Sequence, residues 1–271
     1  MKTAPNTFTR PRKSWGQNFL IDFNIQRKIL DLAEIKQGEK VIEIGPGRGM
    51  LTRGLLERRA LVTAIEIDPH LVERLKREMP SVETPNFDLV LGDALRYPYE
   101  AIQGTYKVVA NLPYNLSTPI LFRLLEEHRQ IRMMILMLQR EVADRLAAQV
   151  GTKSYGALTV TVQYCADVRA AFDVPPGCFR PRPRVHSTVI LLTPRSEGRM
   201  PVQDETLFLK VVKGAFAYRR KRVVNSLVES GFSKEIVLCS LEKIGLDPGR
   251  RGETFTLSEF VAMAKEISRL I

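Results

Sequence analysis

Asn111, Leu112, Pro113 and Tyr114 form a short run whose polar groups could assist a reaction at an aromatic amine. Such an amine, adenine N6 for example, is a poor nucleophile because its lone pair is delocalised into the ring. Two acceptors on the amino hydrogens would favour attack, and the Asn111 side-chain oxygen and the Leu112 carbonyl could supply them. Pro113 would stiffen the turn, and Tyr114 could stack on the base. In isolation, the same run could be an ordinary loop with a packed tyrosine.

A glycine-rich segment, residues 43–49 (EIGPGRG), follows a predicted strand and opens a predicted helix. Glycines such as Gly45 and Gly47 let the backbone approach a ligand closely. The spacing differs from the G-x-G-x-x-G of dinucleotide sites. The acidic Glu43 would disfavour a pyrophosphate and would suit a ligand with a cationic end. S-adenosylmethionine, with its sulfonium and ammonium groups, is such a ligand.

Two further carboxylates follow the next two predicted strands. Glu66 could accept hydrogen bonds from both ribose hydroxyls of a nucleoside cofactor. Asp93 could accept one from an adenine amino group. Each could also be a solvated strand end, and NAD would fit Glu66 as well. These residues predict a nucleoside cofactor at one sheet edge and leave its identity open.

A second aromatic residue, Phe179, opens the segment FRPRPRVHS at residues 179–187. We expect Phe179 to stack on the extruded base opposite Tyr114. The interleaved Arg180, Arg182 and Arg184 would contact phosphates. The alternative is a proline-stiffened loop with a phenylalanine in the core.

The elements that must position these residues alternate along the chain. Runs rich in Val, Ile and Leu predict strands, and amphipathic segments between them predict helices. The predicted strands are 40–45, 61–67, 87–91, 106–110, 132–138 and 185–192; the predicted helices include 25–33, 51–58, 71–78, 118–127 and 139–149. This alternation predicts an α/β fold with a mostly parallel, Rossmann-like sheet covered on both faces.

Beyond residues 193–201, which resemble a linker, the pattern becomes helical. Apolar residues recur at helical spacing in 207–216 and 257–267. We therefore expect two domains: residues 1–195 as the sheet domain with a basic N-terminal arm, and residues 196–271 as a small helical domain.

The formal net charge is +11, which favours a polyanionic partner. Three clusters carry this excess: the first thirty residues, the arginines after Phe179, and a run in the helical domain. The predicted RNA-contacting residues are Arg10, Arg12, Lys13, Arg180, Arg182, Arg184, Arg219, Arg220, Lys221 and Arg222. The alternative is that these basic residues form a solvated surface and bind no partner.

The sequence argues against several classes of protein. No apolar run reaches the ~20 residues of a membrane span, and the N-terminus lacks a signal-peptide core. The three cysteines are scattered, which favours a reducing compartment and no zinc site. We expect a cytoplasmic protein without a metal ion, and nothing in the sequence indicates an obligate oligomer.

Taken in order, these motifs resemble the ribosomal RNA adenine dimethyltransferases that modify the bacterial small subunit. The resemblance runs from about Ser14 to near the C-terminus. It rests on GQNFL at 16–20, EIGPGRGMLT at 43–52, Glu66, GDAL at 92–95, NLPY at 111–114, the loop 179–187 and RRGE at 250–253.

The resemblance implies a fold, a reaction and further site residues. It implies a class I methyltransferase sheet with a helical C-terminal domain, and S-adenosylmethionine as cofactor. Asn18 and Leu20 would lie in the segment that closes over the cofactor, and Asn111 would touch both the cofactor and the target amine. The substrate would be two adjacent adenosines in the hairpin near the 3′ end of 16S rRNA, each dimethylated at N6 during late assembly of the 30S subunit.

Three alternatives remain open at this point. A non-catalytic assembly or transcription factor would keep the fold and the basic clusters, although the intact run at 111–114 argues for catalysis. An NAD-dependent oxidoreductase would need hydride-transfer residues that the sequence lacks. A DNA adenine methylase would share the loop at 111–114 but act on another nucleic acid.

Overall fold

The computed structural model describes residues 17–80, 82–126, 130–195, 202 and 204–271. Nine strands and ten helices of the described residues are numbered here in chain order. The strands are β1 (Phe19–Leu20), β2 (Lys40–Ile44), β3 (Leu61–Glu66), β4 (Phe87–Leu91), β5 (Tyr106–Asn111), β6 (Ile131–Gln139), β7 (Ala166–Val174), β8 (Phe179–Arg180) and β9 (Ser187–Pro194). The helices are α1 (Phe23–Ala33), α2 (Met50–Glu57), α3 (Pro69–Glu78), α4 (Ser117–Glu126), α5 (Arg140–Leu146), α6 (Ala157–Cys165), α7 (Glu205–Ala217), α8 (Val223–Glu229), α9 (Lys234–Lys243) and α10 (Leu257–Leu270).

Seven strands form one sheet in the order β4-β3-β2-β5-β6-β9-β7. The first five of these strands are parallel, and β9 pairs antiparallel with β6. Parallel strands buried on both faces read as continuous apolar runs, which is why β2 and β5 are rich in Val and Ile. The predicted α/β class with a mostly parallel sheet is confirmed.

The sheet order places the carboxyl ends of β2, β3, β4 and β5 along one edge. Each of these strands ends at or just before a residue that the sequence singled out. The residues are Gly45 after β2, Glu66 at the end of β3, Asp93 two residues after β4 and Asn111 at the end of β5. Ligands of open α/β sheets bind in the crevice outside this edge.

Local capping determines where two of the surrounding helices begin. The Asp22 carboxylate accepts hydrogen bonds from the backbone N–H groups of Asn24 and Ile25, and α1 follows. The Asp68 carboxylate accepts one from His70 N at 3.0 Å, with Pro69 at the first position of α3. Both helices thus start next to the carboxyl edge.

A separate two-stranded sheet pairs β1 with β8 in antiparallel register. Phe19 lies opposite Arg180, and Leu20 lies opposite Phe179. A further backbone hydrogen bond from Ile21 N to Cys178 O, 2.9 Å long, extends the pairing. Strands this short carry no periodic pattern, so the sequence did not predict them.

The chain divides into two compact units. The first comprises the described parts of Met1–Ala143 together with Arg169–Pro194, and the second comprises those of Asp144–Val168 and Arg195–Ile271. The predicted boundaries assigned residues 144–168 to the sheet domain, and the structure differs there. Helix α6 belongs to the second unit because Val160 and Tyr164 lie in the same buried cluster as Phe208 and Phe260.

The second unit is helical, with a core of its own. Its buried cluster includes Phe208, Val211, Leu227, Phe255 and Phe260. Phe208, Val211 and Phe260 come from the two apolar stripes that the sequence showed, and Leu227 and Phe255 lie outside them. In addition, the hydroxyl of the buried Tyr155 donates to Phe255 O at 2.9 Å. Among the described residues, no helix is long and apolar enough to span a membrane.

Candidate active site

A cavity of about 740 Å³, including its open mouth, lies at the carboxyl edge of the sheet. All of its walls come from the first unit. It brings together most of the residues that the sequence predicted for cofactor and amine: Asn18, Gly45, Gly47, Glu66, Asp93, Asn111, Leu112, Pro113 and Tyr114. Residues separated by up to 96 positions in the sequence thus converge on one space.

The glycine loop between β2 and α2 forms one wall, and its backbone needs glycine. Gly45 and Gly47 have φ values of +66° and +58°, a region that residues with a Cβ rarely adopt. A Cβ on Gly47 would also lie 2.8 Å from Phe19 Cδ1. The Phe19 ring therefore packs directly on the loop, and the Arg48 guanidinium lies 4.8 Å from the ring centroid. Position 47 has no room for a side chain.

Glu66 is held by backbone N–H groups on both of its oxygens. Gly47 N donates to Oε2 at 3.1 Å, and Asp68 N donates to Oε1 at 3.0 Å. Burial raises the pKa of this carboxyl, while the two backbone donors act in the opposite direction. Because each carboxylate oxygen has further lone pairs, the group can still accept hydrogen bonds from a ligand in the cavity.

Asp93 is fixed in a similar way by its own loop. Its Oδ1 accepts a hydrogen bond from Leu95 N at 2.9 Å, and its carbonyl accepts one from Arg96 N, also 2.9 Å. Gly92 N donates to Glu66 O and so joins this loop to the end of β3. The Asp93 side chain is half-buried and lines the cavity.

Glu43 has a different role from the one that its sequence position indicated. Its carboxyl is 1% exposed and accepts a hydrogen bond from Thr52 Oγ1 at 2.7 Å. Glu43 is not one of the described residues that line the cavity. Burial raises its pKa to about 8, which favours a neutral group at pH 7. The expected attraction of Glu43 for a cationic ligand is therefore not supported.

Asn111 is oriented by the segment that precedes α1. Its Nδ2 donates to the backbone carbonyl of Asn18 at 2.9 Å. This bond directs the amide nitrogen to Asn18 and leaves Oδ1 as the acceptor of the group. Leu112 N continues the pairing of β5 with β6 by donating to Met137 O, and the chain then turns where Leu116 N donates to Pro113 O. The predicted acceptor and the stiffened turn are thus present in one loop.

Tyr114 is held at both its main chain and its hydroxyl. Ser117 Oγ donates to the Tyr114 carbonyl at 3.2 Å. The Tyr114 hydroxyl and Ser187 Oγ share a hydrogen bond of 2.7 Å. Burial raises the pKa of the phenol, so the hydroxyl stays protonated at neutral pH. The ring is half-buried and lines the cavity.

Two residues of the strap formed by Gln17, Asn18 and Phe19 were not assigned roles from the sequence. Gln17 Nε2 donates to Asp68 Oδ2 at 3.1 Å, and Phe19 covers Gly47. Both residues line the cavity with Asn18. Asp68 was overlooked because a helix-capping aspartate looks the same in sequence whether or not it also anchors a distant segment.

Two predicted site residues lie in the core instead. Leu20 and Phe179 are 5% and 0% exposed, and both belong to one buried cluster of the first unit. Neither is among the described residues lining the cavity. In an extended strand adjacent side chains point to opposite faces, so Phe19 faces the cavity and Leu20 does not. The side chains of Leu20 and Phe179 therefore lie in the core and not in the cavity, and their predicted contacts with cofactor and base stay predictions.

The predicted RNA-contacting residues fall into three groups in the structure. Three arginines are exposed near the end of β8: Arg180 ends the strand, and Arg182 and Arg184 lie on the loop that leads to β9. In the second unit, residues 219–222 are exposed between α7 and α8; there Arg219 donates to Lys153 O, and Lys221 pairs with Glu229. Arg10, Arg12 and Lys13 lie outside the described residues.

Both the sequence and the fold of this chain are similar to those of named proteins. Residues 8–268 match the protein family described as ribosomal RNA adenine dimethylase. The chain is 44% identical over 268 residues to the ribosomal RNA small subunit methyltransferase A of Moorella thermoacetica, covering 95% of this chain and 92% of that protein.

Two solved structures share most of the fold. A dimethyladenosine transferase from Plasmodium falciparum has a TM-score of 0.78 at 26% identity, with 90% of this chain and 95% of that chain covered. The 23S rRNA methyltransferase ErmE has a TM-score of 0.74 at 25% identity, with 93% and 100% covered. The similarity therefore includes both the sheet and the helical C-terminal part.

Proposed function

Because the chain belongs to the ribosomal RNA adenine dimethylase family, we propose that it transfers methyl groups from S-adenosylmethionine to N6 of adenine in rRNA. The observation that carries this proposal is the cavity at the carboxyl edge of the sheet. There Glu66 and Asp93 line the same space as Asn111 and Tyr114. Hydrogen-bond acceptors suited to a nucleoside cofactor and a hydrogen-bond acceptor suited to a target amine thus lie within one site.

The residues of the cavity suit S-adenosylmethionine. Glu66 would accept from the ribose hydroxyls and Asp93 from the adenine amino group, while Gly45 and Gly47 allow close approach of the methionine part. Asn18, on the strap, would close over it. When bound, the cofactor supplies a methyl group on a positively charged sulfur, so the transfer needs no metal ion.

Asn111 would act on the target amine. Its Oδ1 and the Leu112 carbonyl would accept the two amino hydrogens and make the nitrogen lone pair available for attack. The Asn18 carbonyl keeps the amide in the required orientation because it occupies Nδ2. No general base is needed before the attack, since the amino proton becomes acidic only after the nitrogen has been methylated.

Tyr114 would stack on the target adenine, which must leave its own stack to enter the cavity. Base–aromatic stacking is worth ~1–3 kcal/mol per base. The second stacking residue predicted from the sequence, Phe179, is buried, so the proposal assigns this contact to Tyr114 alone.

The substrate that we propose is the small-subunit rRNA, dimethylated at two adjacent adenosines of its 3′-terminal hairpin during late assembly of the 30S subunit. The proposal is supported by the match to the small-subunit methyltransferase of Moorella thermoacetica over nearly the full length of both proteins. We further propose that the enzyme acts as a monomer in the cytoplasm, where bacterial subunits assemble.

RNA binding would involve the exposed arginines after Phe179 and residues 219–222. Lys and Arg side chains contact phosphates without regard to nucleotide sequence. These basic residues would therefore bind the rRNA backbone while Tyr114 and Asn111 act on the base. Arg180 pairs with Phe19 of the strap, and the exposed Arg182 and Arg184 follow it closely, which supports a contact near the target adenine.

A labelled-methyl assay tests the proposal. Unmethylated small subunits and double-stranded DNA would be incubated separately with the protein and labelled S-adenosylmethionine. We expect label in rRNA as N6,N6-dimethyladenosine and none in DNA. Label in DNA alone would identify a DNA adenine methylase, and the absence of label from both would refute the proposed function.

A further inference from the structure

Ser187 is a buried polar residue for which the proposed reaction has no use. It is 0% exposed and begins β9, where it pairs with Gln139 at the end of β6. Its hydroxyl lies 2.7 Å from the hydroxyl of Tyr114, 73 residues away in the sequence. A buried hydroxyl without a partner costs free energy, so this bond is a specific pairing and not a surface contact.

Ser187 lies where the arginine loop ends, so its bond to Tyr114 connects that loop with the cavity. The residue directly follows the exposed arginine loop, and His186 O accepts a hydrogen bond from Arg140 N at 3.0 Å. The end of that loop is therefore fixed to the sheet at the point where Ser187 meets Tyr114. The loop that would contact RNA and the ring that would contact the base are joined at one hydrogen bond.

We propose that Ser187 is a positioning residue that holds the Tyr114 ring in the orientation required for stacking on the target adenine. The proposal rests on the proposed methyl transfer. The Tyr114 carbonyl is already held by Ser117, so the main chain of the loop does not depend on Ser187. Without the Ser187 bond the loop keeps its path, but the ring loses the contact that fixes its outer end.

A double-mutant cycle separates this role from simple structural support. Ser187→Ala and Tyr114→Phe remove the same hydrogen bond from its two sides. Each should lower kcat on unmethylated small subunits about three- to tenfold, the usual effect of one neutral hydrogen bond. Their effects should not add, so the double variant should resemble the single ones. The dissociation constant for S-adenosylmethionine should stay within about twofold, because neither hydroxyl belongs to the residues assigned to the cofactor.

Ser117→Ala is the matched control for the cycle. It removes a serine hydroxyl that also bonds to Tyr114, but at the carbonyl. Its effect should add to that of Tyr114→Phe. Thr188→Val, which removes the neighbouring buried hydroxyl bonded to Asp173 at 2.7 Å, should leave kcat unchanged. An additive Ser187/Tyr114 pair, or equal losses in Thr188→Val, would overturn the proposal.

A measurement that does not depend on turnover completes the test. Ring-labelled tyrosine gives NMR signals for the seven tyrosines, and Tyr114→Phe identifies the one from Tyr114. Ser187→Ala should shift or broaden this signal alone, as expected for a ring that reorients more freely. An unchanged Tyr114 signal would refute the tether. If the wild-type protein methylated no rRNA, the proposed function would fail while this signal still reported on the bond itself.

Discussion

The two halves of the cavity are built in different ways. In the cofactor half, Glu66 and Asp93 are held by backbone N–H groups within their own loops or the adjacent glycine loop. In the acceptor half, Asn111 and Tyr114 are held by groups 93 and 73 residues away, the Asn18 carbonyl and the Ser187 hydroxyl. The cofactor half is thus assembled by the sheet edge itself, and the acceptor half depends on segments that converge from elsewhere.

This difference has a functional meaning for a two-substrate enzyme. A site made from backbone donors at strand ends is ready whenever the sheet is folded. The strap orients Asn111 through the Asn18 carbonyl and also lines the cavity, where it would close over the cofactor. It pairs through β1 with the strand β8 that leads into the arginine loop. The groups proposed to act on the base are therefore oriented by segments that also line the cavity or lead into the arginine loop.

The largest effect is expected in the acceptor half. Asn111→Ala removes the acceptor proposed for the amino hydrogens, which would be needed only as the nitrogen is attacked. We expect the rate of methyl transfer to small subunits to fall by at least about 10²-fold, as when a comparable polar group is removed from an active site. Single-turnover assays with saturating cofactor would measure it.

The control is Asn115→Ala, which changes an exposed asparagine in the same loop. It should keep most of the activity. A rate for Asn111→Ala close to that of the wild type would remove Asn111 from the mechanism and with it the distinction between the two halves.

The cofactor half should respond through affinity. Glu66→Gln replaces one accepting oxygen by an amide nitrogen that cannot accept from Gly47 or Asp68, and it weakens the bonds proposed for the ribose. Hydrogen bonds to a charged group contribute about 1.5–3 kcal/mol, so we expect the dissociation constant for S-adenosylmethionine to rise about 10- to 100-fold. Calorimetric titration would measure this change.

At saturating cofactor, the rate of Glu66→Gln should approach that of the wild type. Glu57→Gln, at an exposed glutamate of α2, is the matched control and should bind the cofactor normally. A Glu66→Gln variant with normal affinity and a low rate would reverse the roles assigned to the two halves.

The basic residues of the second unit extend the comparison to RNA. Replacing Arg219, Arg220, Lys221 and Arg222 by glutamine should weaken binding to small subunits and reduce the salt dependence of that binding, because fewer counterions are released. For two lost phosphate contacts, the slope of log K against log salt would fall by about two. Binding measured at several salt concentrations tests this.

Affinity for S-adenosylmethionine should not change in that variant, since its cavity lies wholly in the first unit. Replacing Lys234 and Lys243, exposed at the ends of α9, is the control for charge alone. Unaltered binding of the quadruple variant to the subunit would mean that residues 219–222 are only a solvated face.

The smallest effect concerns Glu43, beside the cofactor half but outside the cavity. Burial raises its pKa to about 8, so the folded state holds a proton that the unfolded state loses above its ordinary pKa near 4.5. The stability from this group is therefore present at low pH and falls as the pH rises towards 8, by at most about 1.4 kcal/mol per pH unit.

Glu43→Gln should flatten this dependence of the free energy of unfolding between pH 5 and 8. Denaturant unfolding at several pH values would measure it, and Glu57→Gln serves again as the control. A slope equal to that of the wild type would show that Glu43 is charged in the folded protein. Burial would then not raise the pKa of this carboxyl.

The contrast between the halves also explains what the sequence could predict. Glu66, Asp93 and the glycine loop were found because their positions at strand ends are local features, and parallel strands align their ends automatically. The Asn111 amide was found through its chemistry. The partners of Asn111 and Tyr114 were not, because hydrogen bonds between residues 73 to 93 positions apart leave no periodic or local signal.

The placements that the sequence did not predict have the same origin. Phe179 and Leu20 lie opposite each other in a two-residue strand pair, and only the fold decides which face of such a short strand is buried. The predicted boundary followed the linker-like residues 193–201 and so left residues 144–168 with the sheet, whereas the apolar residues of α6 pack in the helical core. The position of α6 along the chain therefore did not indicate in which of the two cores its apolar residues pack.

The most direct test of this division is the affinity of Asn111→Ala for S-adenosylmethionine, measured by calorimetry on the same sample that is assayed for methyl transfer. If the two halves act separately, the dissociation constant should stay within a few-fold of the wild-type value while transfer is lost. If the affinity falls in proportion to the rate, Asn111 acts mainly by binding the cofactor, and the assignment of an acceptor half is contradicted.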